Sequence, residues 1–157
     1  MDLAFLDNLD TPERCDQYAK NVEARLPEHA AAARVKRIRL LAEKHGGEIA
    51  VVQEGYQAVY AFENASSKEK NRKVRASRTW QMVTRVGMIR AIESIVSKRG
   101  ESEGFRSLAE LGLLDFAFEA VVLRHPSHFS ADAQLQAKVR LTPFSDSLSP
   151  ATRALLP

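Results

Sequence analysis

Apolar residues recur at helical spacing along most of this chain, and no stretch alternates strongly at period two. The pattern therefore predicts an all-α fold. Its clearest stripe is Met88, Ile89, Ile92, Ile95 and Val96. Carried backwards on one continuous helix, that stripe would bury Arg78 and Arg85. A break near residues 85–87 removes the conflict and leaves two helices, at 77–85 and 88–99.

Upstream, Leu3, Phe5, Leu6 and Leu9 form a short apolar cluster, enough for a helical turn or two. Thr11-Pro12-Glu13 reads as a helix start: a capping hydroxyl, a proline suited to the first helical position, and an acid that complements the dipole. Leu26-Pro27 interrupts this helix near Arg25 and begins a second one, which ends at Gly46-Gly47. Ala31, Val35, Ile38, Leu41 and Ala42 give the second helix its apolar face. A third helix over residues 48–65 buries Val51, Val52, Tyr56, Val59, Tyr60 and Phe62. Gly55 inside it costs ~1 kcal/mol relative to alanine, which predicts a close helix crossing at that point.

Residues 66–74 are polar, charged and aperiodic, and read as a mobile loop. A further loop is expected at 100–104 and a short helix at 105–114, ended by Gly112. Asp115 is placed to cap a helix over 116–124 that is apolar almost all round, the mark of an enclosed core element. Pro126 stops it, Ser130 caps a helix over 131–141, and the serine- and proline-rich residues 142–157 suggest a loosely ordered tail. The expected architecture is a single compact bundle of six to eight helices in one domain over residues 1–141, from which the basic segment projects.

Length supports this picture, since a chain of 157 residues with 45% apolar content can bury a core without staples. The single cysteine, Cys15, cannot form an internal disulfide, which favours a reducing compartment. The first ten residues hold acids and no basic leader, and no apolar run approaches the ~20 residues of a membrane span. A soluble, cytoplasmic protein that does not engage membranes is expected.

Charge changes the picture most. Residues 68–78 hold six bases (Lys68, Lys70, Arg72, Lys73, Arg75 and Arg78) against one acid, Glu69. With Arg85 and Arg90, residues 68–90 carry +7 in a chain whose net charge is only +3. A local excess of this kind points to a polyanion, because lysine and arginine neutralise phosphates and release counterions. Ser77 and Thr79 are candidate phosphate donors at a helix start, and Trp80 is a candidate stacking partner for a base, although a lone tryptophan more often packs in a core. Arg34, Lys36, Arg37 and Arg39 offer a secondary basic patch. The leading expectation is a non-enzymatic nucleic-acid-binding regulator or accessory protein. DNA is preferred to RNA because the aromatic platforms of sheet-based RNA modules are missing.

Other readings draw on less. A helix-turn-helix with Val83 and Gly87 near the turn would use residues 88–98 for recognition, but Glu93 falls where an apolar residue belongs. Residues 1–33 hold seven acids and three bases. That acidic start opposite a basic middle suits an alternative role as a protein-binding adaptor or homo-oligomeric module. Signatures of catalysis are thin. His125 and His128 flank Pro126 without a supporting ligand set, and His125 is better placed to complement a helix carbonyl end. Glu103, Glu110, Asp115 and Glu119 read as caps and surface groups. No cofactor or metal is expected, and a metal-dependent hydrolase ranks a distant third.

Overall fold

The computed structural model describes residues 2–47, 49–98 and 103–157. Parts of three sequence expectations, at residue 48, residue 99 and residues 100–102, lie outside the described residues. Among those described there are nine α-helices and no strands, and none of these helices is long and apolar enough to cross a membrane. The all-α expectation holds. Where the sequence suggests one domain, the chain divides into two compact units, Met1–Gly46 and Gly47–Pro157.

The first unit is a helical hairpin, α1 (Pro12–Val22) against α2 (Pro27–Glu43), with a 3-10 turn over Ala4–Asn8. Thr11 caps α1 as its sequence implies, its Oγ1 accepting the Arg14 N–H at 3.2 Å. Alanines at 19, 30 and 33 are fully or almost fully buried, and side chains this small let the two helices approach closely. Phe5 closes one end, stacked 4.9 Å from Tyr18 and 4.4 Å from His29, whose Nδ1 lies 3.0 Å from the Tyr18 hydroxyl. Cys15 is wholly buried in this core, and burial pushes its thiol pKa up, the setting of a packing residue rather than a nucleophile.

The second unit is organised around α3 (Ala50–Lys70) and α7 (Phe118–Arg124). The long α3 packs against α5 (Met88–Ser97), α6 (Glu103–Glu110) and α7, while α8 (Ala131–Leu141) covers α5 and α7. Residues 120–123 of α7 are all buried, so this helix is the core element its composition suggests. The crossing foreseen at Gly55 is present: a Cβ there would lie 2.4 Å from Met88 Cγ and 3.1 Å from Ile92 Cδ1. Gly87, at φ +89°, separates α4 (Ser77–Val86) from α5. It thereby turns Met88, Ile92 and Val96 inward while Arg78 and Arg85 stay exposed.

Three expectations change here. The third helix continues to Lys70 instead of ending near residue 65, which shortens the loop after it. Asp115 does not cap α7. It sits in a 3-10 turn (Leu114–Phe116), and its carboxylate accepts the Ser149 N–H at 3.0 Å and the Ser149 hydroxyl at 3.0 Å. Those bonds help order the C-terminal segment, where Leu148 and Thr152 are buried and α9 (Pro150–Arg153) is capped by Ser149. Residues 142–157 are thus a packed part of the second unit.

Candidate nucleic-acid interface

The basic segment is built on one stripe of α3. Tyr56, Tyr60, Glu63 and Ser67 follow at spacings of four, three and four residues, so they share a helix face. Ser67 closes the turn that follows: its Oγ accepts the Val74 N–H at 2.9 Å, and its carbonyl accepts the Arg72 N–H at 3.1 Å. Asn71 takes a left-handed conformation, φ +51°, which terminates the helix. Lys68 and Lys70 occupy the last helical turn, where cations favour the carbonyl end of the dipole. Four of the six bases of residues 68–78 therefore lie at the end of α3 and on the short bonded turn that follows it, within residues 68–73.

Glu63 then fixes where α4 begins. Its Oε2 accepts the Ala76 N–H at 2.7 Å and the Trp80 Nε1–H at 2.8 Å. The half-buried Trp80 ring lies 5.1 Å from Tyr60 and 6.1 Å from Tyr56, and the Arg75 guanidinium sits 5.7 Å from the Trp80 centroid. Trp80 is consequently a strut joining α4 to α3, with its indole N–H and part of its ring already engaged. Arg75 is tied to the same strut by a cation–π contact.

Lys68, Lys70, Arg72, Lys73, Arg75, Arg78, Arg85 and Arg90 are all exposed. Among the described residues, Lys70, Arg72, Lys73, Arg78, Arg85 and Arg90 make no ion pair. The lone acid of the run, Glu69, accepts a hydrogen bond from Ser107 on α6. No aspartate or glutamate occurs from residue 70 to residue 92. The surface is therefore cationic without internal neutralisation at those six positions.

The helix-turn-helix reading does not fit this geometry. A single residue separates α4 from α5, and α5 buries Met88, Ala91, Ile92 and Val96 against its neighbours. Glu93 also holds α5 inward, accepting the Ser130 N–H at 2.7 Å and the Ser130 hydroxyl at 2.9 Å at the start of α8. The face of α5 that stays exposed offers Arg90 and Ser94.

The secondary basic patch belongs to the first unit, and half of it serves that unit's own structure. Arg34 Nη2 donates to Glu23 Oε1 at 2.7 Å, and burial lowers the Arg34 pKa. Lys36 Nζ donates to the Leu6 carbonyl. Arg39 is exposed and Arg37 half-buried.

Polar groups outside the interface act as braces. Glu54 on α3 accepts from Arg124 Nε at 2.6 Å and contacts His125 Nε2. His125 occupies the C-cap position of α7, and its ring meets a partner 71 residues away. His128 and Asp132 are exposed, and no cluster able to hold a metal ion occurs among the described residues. Glu119, read from sequence as a surface carboxylate, is buried and paired with Arg140 Nη1 at 3.0 Å. Glu63 and Ser67 were also missed by sequence reasoning. Their shared stripe with the two tyrosines was the available signal. No family model, curated protein or solved structure matches this chain.

Proposed function

We propose that the second unit binds nucleic acid, duplex DNA in the first instance, through the turn at residues 68–73 and the exposed faces of α4 and α5. The observation that carries this reading is the unneutralised set Lys70, Arg72, Lys73, Arg78, Arg85 and Arg90, on a segment held in place by Glu63 and Ser67. Uncompensated exposed cations repel one another, and a polyphosphate removes that cost while releasing its own counterions. Contacts from a turn and helix flanks position a protein on the backbone without reading bases. The role is accordingly that of a regulator or accessory factor with weak sequence preference, and no catalytic step is assigned.

Salt dependence tests it. If all six cations engage phosphate, affinity for mixed-sequence duplex should fall about 1,000-fold or more between 50 and 200 mM salt. Replacing Arg72, Lys73 and Arg78 with alanine should flatten the log–log slope by about 2.7 and leave the melting temperature nearly unchanged. Arg75 is left intact because it packs on Trp80. A triple variant that binds duplex as the parent does would sink the proposal. A protein-binding role is the second reading, favoured by one observation: Leu135 and Val139 on α8 are 57% and 59% exposed, one helical turn apart.

A further inference from the structure

A cavity of about 230 Å³ opens within the second unit, lined by none of the cationic residues assigned to the interface, although Thr79 on α4 borders it. Its lining includes three small residues, Ala58, Gly104 and Ala117, all buried. Phe62, Phe105 and Phe118 supply aromatic surface. Gly104 is required where it stands, since a Cβ there would lie 2.1 Å from ring atoms of Phe62. A cavity of ~150 Å³ is enough to hold benzene, so this one has room for two fused rings.

Two of its lining residues are polar, Thr79 and Glu119. Glu119 is 3% exposed and contributes to the cavity lining. One carboxylate oxygen is occupied by Arg140 Nη1, and the pair is formally neutral. Arg140 Nε and Nη2 are buried without hydrogen-bond partners, but Arg140 is not among the residues that line the cavity. A cationic ligand would upset the charge balance, whereas a neutral N–H or O–H donor suits a carboxylate, which can accept more than one hydrogen bond.

We infer that this cavity is a binding site for a compact, neutral, two-ring aromatic molecule bearing one hydrogen-bond donor, its rings among the three phenylalanines and its donor toward Glu119. The inference is independent of the nucleic-acid reading.

Indole is the direct probe, and 1-methylindole is its control of similar shape without the donor. Calorimetry on the full chain should show saturable indole binding. Methyl NMR shifts should centre on Ala58, Ile95 and Leu108, and 1-methylindole should bind roughly tenfold to a hundredfold more weakly, the loss expected for one hydrogen bond to a charged group. Ala58→Leu, which fills the cavity, should abolish binding. Should that variant fail to fold by circular dichroism, Ile95→Phe at the half-buried rim replaces it. Absence of saturable binding up to the solubility limit, shifts centred elsewhere, or undiminished binding by a folded filled variant would each overturn the site. Equal affinity for the two probes would overturn the role given to Glu119.

Discussion

Arg140 and Glu119 show how a single pair of residues can hold a core while weakening it. Both side chains are almost wholly buried, 7% and 4% exposed, so each has lost most of its hydration. Burial pushes the Glu119 pKa up, and the facing guanidinium pulls the other way. Only Nη1 is hydrogen-bonded, which leaves two guanidinium nitrogens desolvated without a partner. Removing one partner strands the other charge, whereas replacing both with apolar groups of similar size is often neutral or better. Glu119→Leu alone should lower unfolding free energy by about 3–5 kcal/mol. The double variant Glu119→Leu with Arg140→Met should recover most of that loss. Urea denaturation measures both, and a double variant no more stable than the single one would contradict this account of the pair.

At the scale of elements, the joint between α5 and α8 makes a titratable contact. Burial alone would raise the Glu93 pKa. Hydrogen bonds from the Ser97 hydroxyl and from the Ser130 N–H and hydroxyl outweigh that effect and hold it below the ordinary glutamate value. The folded state therefore binds fewer protons at this site than the unfolded chain does. The stabilisation is present above the ordinary glutamate range and is lost as pH falls through the depressed folded value. Glu93→Gln should melt at a lower temperature than the parent near neutrality, and the gap should close on acidification. A gap that stays constant with pH would contradict the assignment. Sequence reasoning flagged Glu93 only as an awkward residue for a recognition helix, because its partner Ser130 lies 37 positions away. Helix starts at Pro12, Pro27, Ser77 and Ala131 were legible because capping residues, prolines or the stripe's change of phase are local signals. The end of α3 was not. Residues 66–70 have no apolar stripe, and contacts such as Glu69 with Ser107 are tertiary. For the same reason Asp115 looked like a cap until Ser149, 34 residues on, came beside it.

For the molecule as a whole, charge is the property most visible in sequence and the one that most constrains what it can bind. Residues 68–90 carry +7 and the remainder of the chain −4, a charge distribution that would favour a polyanion at one segment and disfavour it, on balance, at the rest. The membership of that segment was legible. Its architecture was not, since the bonds from Glu63 and Ser67 that shape it depend on packing between helices. Trp80 is the clearest instance, a candidate base-stacking residue that the fold uses to join α4 to α3. Under the proposed function, the two units can be weighed against each other as contributors to binding. In the first, Arg34 and Lys36 are engaged with Glu23 and the Leu6 carbonyl, which leaves Arg37 and Arg39. In the second, six unpaired exposed cations suffice for a steep salt response without help. Replacing Arg37 and Arg39 together with alanine should therefore leave both duplex affinity at 150 mM salt and the salt slope unchanged. If both did contact phosphate, the slope would flatten by about 1.8, a difference a titration over a fourfold range of salt resolves. That outcome would place part of the grip on α2 and require the footprint to include the first unit. An unchanged slope, together with loss of binding in the Arg72, Lys73 and Arg78 variant, would confine it to the second.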